Sequence, residues 1–301
     1  MLLAEALQKL PMLPATPPDP LVIALQRKAQ TGNAGAAEGT PVASGDGWRV
    51  VDIVCTSGPE DRPFEERHAT ASISLVLSGT FVYRSERGLS LMSAGSLLLG
   101  DAGHAFECSH PHGEGDRCLS FQFDPEVFGR LARDAGRTSR FGRDRLPPLR
   151  ALAPVTAQVR GALGRPEALE ELAIELAGAV VQMTEPARDV RSPTHDPARL
   201  APVLRHLEAR MAEPCSLAEL ASLAGLSRYH FLRSFKHATG TTPHQWLLRA
   251  RLRESAQRLI ASRDPVTEIA LDVGFDDLSN FIRSFRAEFG MSPTRYRASA
   301  A

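Results

Sequence analysis

The chain has 301 residues, too many for one small binding module and about the length of two domains of roughly 100–200 residues each. Its 43% hydrophobic content is enough for a buried core and excludes disorder as the main description, and 35 Lys+Arg against 35 Asp+Glu exclude a uniformly basic nucleic-acid coat or an acidic tail protein. The balance hides a split: residues 196–301 hold 15 Lys+Arg against 11 Asp+Glu, and the remainder 20 against 24. Every C-terminal cation except Lys236 is arginine, the side chain that forks onto phosphates and guanine edges. Four scattered cysteines, Cys55, Cys108, Cys118 and Cys215, do not form a disulfide framework. The start, Met1-Leu2-Leu3-Ala4-Glu5, lacks the basic n-region of a signal peptide, and no apolar run approaches the ~20 residues that span a bilayer, so the expected location is the cytoplasm, away from membranes.

Residues 1–47 read as a flexible N-terminal segment, since 11–20 and 29–47 are laden with Pro, Gly, Ala, Thr and Ser; a short helix is expected at about 20–28. From Trp48 the texture changes to six short β-branched and aromatic runs, Trp48–Val54, Ser72–Leu77, Phe81–Tyr83, Ser96–Leu99, Ala105–Cys108 and Cys118–Phe123. Gly, Asp and Ser separate them at close intervals, the pattern of an antiparallel sandwich or barrel over 48–124.

After Pro125 the strand pattern stops and 125–184 reads as helical. Leu169, Leu172, Leu176, Val180 and Met183 share one helix face, a stripe suited either to its own sheet or to the same stripe of a second chain; the reading favoured here is a homodimer seam. Residues 185–196, with two prolines and little apolar material, are the expected inter-domain linker.

From 197 to 301 the pattern is helical and contains an internal repeat. Leu220-Ala221-x3-Gly225-Leu226 recurs 49 residues later as Ile269-Ala270-x3-Gly274-Phe275. Phe231-Leu232-Arg233-Ser234-Phe235-Lys236 recurs 50 residues later as Phe281-Ile282-Arg283-Ser284-Phe285-Arg286, with Gly240-x2-Pro243 against Gly290-x2-Pro293 behind them. Each unit places Ala one turn before Gly, a helix-turn-helix layout. Ser216, Ser227, Asp264 or Thr267, and Asp276 are the expected N-caps, and a periodic helix over Pro243–Ile260 joins the units.

The stretch Ser216–Arg297, with these glycines, phenylalanines and prolines repeated in register, resembles the AraC/XylS family of bacterial transcription regulators. The resemblance implies an α+β chain: an N-terminal cupin-like antiparallel β-barrel that binds an effector, a helical linker and dimerisation region, and a C-terminal all-α domain. In the family, the two helix-turn-helix units of that domain enter successive major-groove segments of a double-stranded DNA operator. On that geometry Tyr229, Leu232, Arg233, Ser279, Ile282 and Arg283 are expected to meet bases, with Arg233 and Arg283 at matching positions suited to guanine. Arg228, Lys236, Arg249, Asn280 and Arg286 are expected on phosphates, where contacts set register. Asp276 and Asp277 fit N-cap and first-turn positions. RNA polymerase is a further partner if the protein is an activator.

The effector is an unidentified small molecule, and no cofactor is assigned. The constellation His104, Phe106, Cys108, His110, His112 and Cys118 leaves a second reading open, a metal- or thiol-redox-sensing regulator using Cys108, His110, His112 and Cys118. The alternative furthest from the residues is a metal-dependent cupin enzyme: Glu114 follows His110-x-His112 after only one residue, no later His lies in the barrel, and no hydrolase, nucleotide or dinucleotide motif appears. An enzyme is not expected.

Overall fold

The computed structural model describes residues 19–63, 65–111, 113, 115–162, 168–184 and 197–300; the expected linker over 185–196 lies outside them. Helix α1 (Pro20–Thr31) begins where Asp19 accepts a hydrogen bond from Leu21 N at 2.9 Å and Pro20 presets the first turn. It ends on Gly32 in the left-handed conformation, and Lys28 ties it to Thr56 O and Asp61. Strand β1 (Ala37–Gly45) follows and pairs antiparallel with β2 (Trp48–Cys55). The helix expected at about 20–28 is α1, and the expected flexible lead-in is corrected over Ala37–Gly45, where β1 forms. The breakers that hid β1 are tolerated because it is an edge strand: Pro41 sits at a bulge, and the partner strand supplies the order that local propensity lacks.

The remaining strands are β3 (Glu65–Arg67), β4 (Ala71–Ser85), β5 (Gly88–Ser93), β6 (Leu97–Gly100), β7 (Ala105–Ser109), β8 (Asp116–Phe123) and β9 (Arg145–Leu146), and every described pairing is antiparallel. The first half of β4 pairs with β6 and β8; after a register shift at Val76/Ser78 its second half pairs with β5 and β7. One bulged strand thus folds the sheet over on itself, with β1 and β9 ending the main strand path.

The outer face of the first half-sheet, including Val50, Ile73, Leu75, Leu97, Leu119 and Phe121, is covered by α2 (Pro125–Asp134), α3 (Ala153–Gly161) and α4 (Leu169–Met183) in one apolar core. Leu169, Leu172, Leu176 and Val180 are buried in that core and Met183 packs against it. The expected dimer seam is therefore corrected: the stripe is satisfied within its own chain, because a two-layer domain needs a helix to close this sheet face. On α4 the outward positions are Glu170, Glu171, Ile174, Glu175 and Gln182.

The C-terminal part consists of α5 (Ala201–Ala209), α6 (Leu217–Leu223), α7 (Arg228–Thr239), α8 (Pro243–Ala261), α9 (Val266–Asp272), α10 (Leu278–Phe289) and α11 (Pro293–Ala300). Phe231 and Phe235 share a core with Leu220 and Trp246, whereas Phe281, Phe285 and Phe289 share another with Ile269 and Tyr296. Both cores reach into the N-terminal part: Val82 and Leu91 of the β4–β5 hairpin belong to the first, Ala153 and Ala157 of α3 to the second.

Leu176→Ala is expected to destabilise the chain by about 2–5 kcal/mol, the cost of a core cavity, without changing its association state. Thermal melts paired with sedimentation equilibrium check both; an unchanged melt with a weakened dimer would restore the seam.

Candidate nucleic-acid interface

The two helix-turn-helix units are built by the same backbone bonds 49 residues apart. Leu226 N donates to Ala221 O and Phe275 N to Ala270 O, each at 2.9 Å, around Gly225 (φ 62°) and Gly274 (φ 95°). Glycine is required at 274 twice over, since a Cβ there would lie 2.7 Å from the backbone of Ala212. Helix α6 starts with a capping box between Ser216 and Glu219, and α7 starts on Ser227. In the second unit the caps differ from expectation. Asp277, not Asp276, caps α10, accepting from Ser279 N and Asn280 N; Pro265, not Asp264 or Thr267, occupies the cap of α9 with no side-chain bond. The repeat accounts for both, because Asp277 lies 50 residues after Ser227 and Pro265 49 residues after Ser216.

With the phenylalanines inward, the opposite faces of α7 and α10 carry the expected contact residues. Arg228, Arg233 and Lys236 are exposed on α7, where Leu232 is half-buried; the side chain of Tyr229 lies outside the described residues. Ser279, Asn280, Ile282, Arg283 and Arg286 are exposed on α10. Arg283 Nη2 donates to Asn280 Oδ1 at 3.1 Å, a neutral partner that orients the guanidinium without neutralising it. Asp277 spends both carboxylate oxygens on the cap, which draws its charge toward the helix N-terminus.

Arg249 does not join this face. Its guanidinium donates to Pro148 O at 2.7 Å and lies 3.7 Å from Glu288, so the expected phosphate contact is corrected to a bond between the two halves of the chain. The surrounding arginines are likewise internal. Arg251 joins Met211 O to Gly274 O, and Arg253 Nη2 donates to Ala94 O from beside Gly95, where a Cβ would sit 2.9 Å from its Cζ. Arg160 donates to Val76 O and Leu77 O at the β4 bulge. Burial lowers Arg160 and Arg253 to about 10, still charged at neutral pH. Burial also pushes the Glu208 carboxyl up to about 7, against the pull of Arg253, Arg160 and Arg205.

In the sheet domain, Phe106 and Cys108 pack against an inner cluster of Val76, Phe81, Tyr83, Met92, Leu98 and Cys118. His68 stacks on Phe106 with ring centroids 4.2 Å apart, and His104 turns to Glu86 at 2.9 Å. His110 Nε2 lies 2.7 Å from Asp116 Oδ1, while Cys118 Sγ donates to Asp116 Oδ2 at 3.2 Å. His112 lies outside the described residues. Asp116 and Cys55 are functional candidates that sequence spacing missed. Their only signal is strand register, which sets Cys55 opposite Asp116 across β2 and β8. Burial pushes the Cys108 and Cys118 thiols well above their ordinary value, which keeps them protonated and poorly nucleophilic, against the thiol-redox reading.

Residues 220–299 match the family model of a helix-turn-helix domain, and residues 52–179 that of the AraC-like ligand binding domain. The chain is 43% identical over 93 residues to the probable transcriptional regulator LumQ of Photobacterium leiognathi, covering 31% of this chain and 37% of that protein. It is 36% identical over 94 residues to the transcriptional regulator Rob of Salmonella typhimurium, covering 31% and 32%. The chain thus spans about a third of the length of these curated relatives. Among solved structures, a transcriptional regulator with an AraC-type DNA-binding domain from Chromobacterium violaceum is 31% identical, covering 34% of this chain and 92% of that chain with a TM-score of 0.33.

The folded chain holds the Glu208 proton up to about pH 7, whereas a solvated glutamate releases it near 4.5. Folding therefore takes up a proton between those values, so the stabilisation is full below about 4.5 and lost as pH rises through about 7, by roughly 3 kcal/mol at most. Melting temperatures between pH 5.5 and 8 should fall, and Glu208→Gln should flatten the profile; an equal slope in both proteins would show that another group carries it.

Proposed function

The chain belongs to the AraC family, carrying both its ligand-binding and its helix-turn-helix domain, and on that premise we propose that it is a sequence-specific DNA-binding transcription regulator controlled by a small-molecule effector. The observation that carries this reading is the pair of exposed arginines, Arg233 and Arg283, at equivalent positions of duplicated helices whose opposite faces are locked by buried phenylalanines. Each guanidinium suits guanine O6 and N7, Ile282 and Leu232 suit thymine methyls, and Tyr229 and Ser279 complete the base-reading set. Arg228, Lys236, Asn280 and Arg286 flank it as phosphate partners.

We assign effector binding to the sheet domain over residues 48–124 and DNA recognition to residues 197–301. The two halves share packed cores at the β4–β5 hairpin and α3, so an effector that alters the sheet has a direct mechanical route to both helix-turn-helix units. A coupling of about 1–3 kcal/mol through that contact suffices for a switch. The cytoplasm is the location assigned with this reading, and no catalytic role is assigned. A homodimer, if formed, uses a surface other than the leucine stripe, and RNA polymerase is a further partner if the protein activates.

Titration against DNA from its own promoter region and against scrambled DNA of equal length, across salt concentrations, tests this reading. Arg233→Ala and Arg283→Ala should each weaken the specific site by about 1–3 kcal/mol and together erase the preference over scrambled DNA. Lys236→Ala and Arg286→Ala should weaken both DNAs alike and each lower the salt slope by about one. A sequence preference that survives the double arginine change would overturn the assignment.

A further inference from the structure

The end of β2, the residue just past β7 and the start of β8 converge on one polar cluster beside the apolar inner cluster of the sheet domain. Cys55 Sγ, a ring nitrogen of His110 and a carboxylate oxygen of Asp116 all lie within 4.8 Å of one another. Strand register fixes Cys55 directly opposite Asp116, and Cys118, two residues along β8, donates its thiol to the second carboxylate oxygen. His110 is 3% exposed, and its Nδ1 is buried with no hydrogen-bond partner among the described residues. A simple Asp–His pair accounts for Nε2 and one oxygen of Asp116. It accounts neither for the orphaned nitrogen nor for a thiol within 4.8 Å of both partners.

We propose that Cys55, His110 and Asp116 form a binding site for one divalent cation of the zinc type, with Cys118 holding the Asp116 carboxylate in place. The donor set selects the ion class: thiolate and imidazole disfavour magnesium and calcium, which take oxygen ligands, and a carboxylate beside a single thiolate disfavours cuprous copper. Zinc takes sulfur at about 2.3 Å and nitrogen or oxygen at about 2.0–2.2 Å, so donors on one tetrahedral ion stand roughly 3.3–3.8 Å apart. The present spread, from the 2.7 Å His110 Nε2–Asp116 Oδ1 contact up to 4.8 Å, reaches that with small side-chain movements. The charges also balance. On binding, the Cys55 thiol gives its proton to solvent, His110 binds as neutral imidazole and Asp116 as carboxylate, so two negative donors meet a dication and the buried site carries no net charge. Three protein ligands leave the fourth position to water. The set keeps only His110 from the cysteines and histidines that sequence spacing singled out, and it stands independently of how the protein reads DNA.

The test uses the full chain purified without a histidine tag, stripped with a chelator and titrated anaerobically with Co²⁺ and then Zn²⁺. One Co²⁺ per chain is expected, with the visible absorption of a tetrahedral site and a near-ultraviolet thiolate-to-cobalt band, both removed stoichiometrically by Zn²⁺. Cys55→Ser should abolish the thiolate band, and His110→Gln and Asp116→Asn should each weaken binding about tenfold or more. Cys215→Ser, in the helical domain, should change nothing. A folded, stripped chain that binds no Co²⁺, or a thiolate band that survives Cys55→Ser, would overturn the site. X-ray absorption of the zinc-loaded wild-type chain gives a check that needs no variant: one sulfur and otherwise nitrogen or oxygen neighbours are expected, and a shell without sulfur or with several sulfurs would overturn it.

Discussion

Strand β4 is long enough to belong to two half-sheets, and the rest of the molecule is arranged around the bulge that lets it do so. Its first half places Ile73 and Leu75 under the helical layer, and its second half places Phe81 and Tyr83 in the inner cluster. Between them the register shift at Val76/Ser78 leaves the carbonyl of Leu77 to Arg160, a side chain from α3 that also shares Val76 O with Gly95 N. A buried carbonyl without a donor is costly, so the bulge and the arginine depend on each other. Beyond the bulge, Val82 of β4 enters the core of the first helix-turn-helix unit. The same strand organises the sheet domain and docks the helical domain.

The junction between the halves is unusual in its chemistry. Apolar contacts from Val82, Leu91, Ala153 and Ala157 stand beside buried charges on Arg160, Arg253 and Glu208. Apolar packing alone favours docking without sensing anything, whereas buried charges make docking sensitive to small displacements, since an unpartnered charge at low dielectric is expensive. Arg253 reaches a backbone carbonyl across the junction, and Arg249 reaches Pro148 O. Movement of the 94–95 turn or of the 147–149 segment therefore removes partners from guanidinium groups that solvent reaches only in part.

The helical half was legible in the sequence to the level of individual bonds. Repeated spacing of Ala, Gly, Phe and Pro fixes two local motifs whose hydrogen bonds run over a few residues, and the structure places Gly225 and Gly274, Ser216 and Ser227 accordingly. The second-unit caps were misplaced because several acids and a threonine stand within a few positions of each helix start. Strict application of the repeat offset would have selected Asp277 and Pro265. In the sheet half six strand runs were legible, but β1, β3, β5 and β9 were not; β1, an edge strand containing Pro41 and two glycines, is held by its partner and not by its own propensity.

What the sequence determined by itself is local: the periodic helices, the turn glycines, the alternating strands and which arginines stand opposite the phenylalanines. Only the tertiary structure decided the destination of the Leu169–Met183 stripe, the diversion of Arg249 into the junction, and the meeting of Cys55, His110 and Asp116. The reason is the same in each case. An apolar stripe, a guanidinium and a thiol have many equivalent partners at the level of pattern, and only the register of distant strands and the packing of one layer on another selects among them.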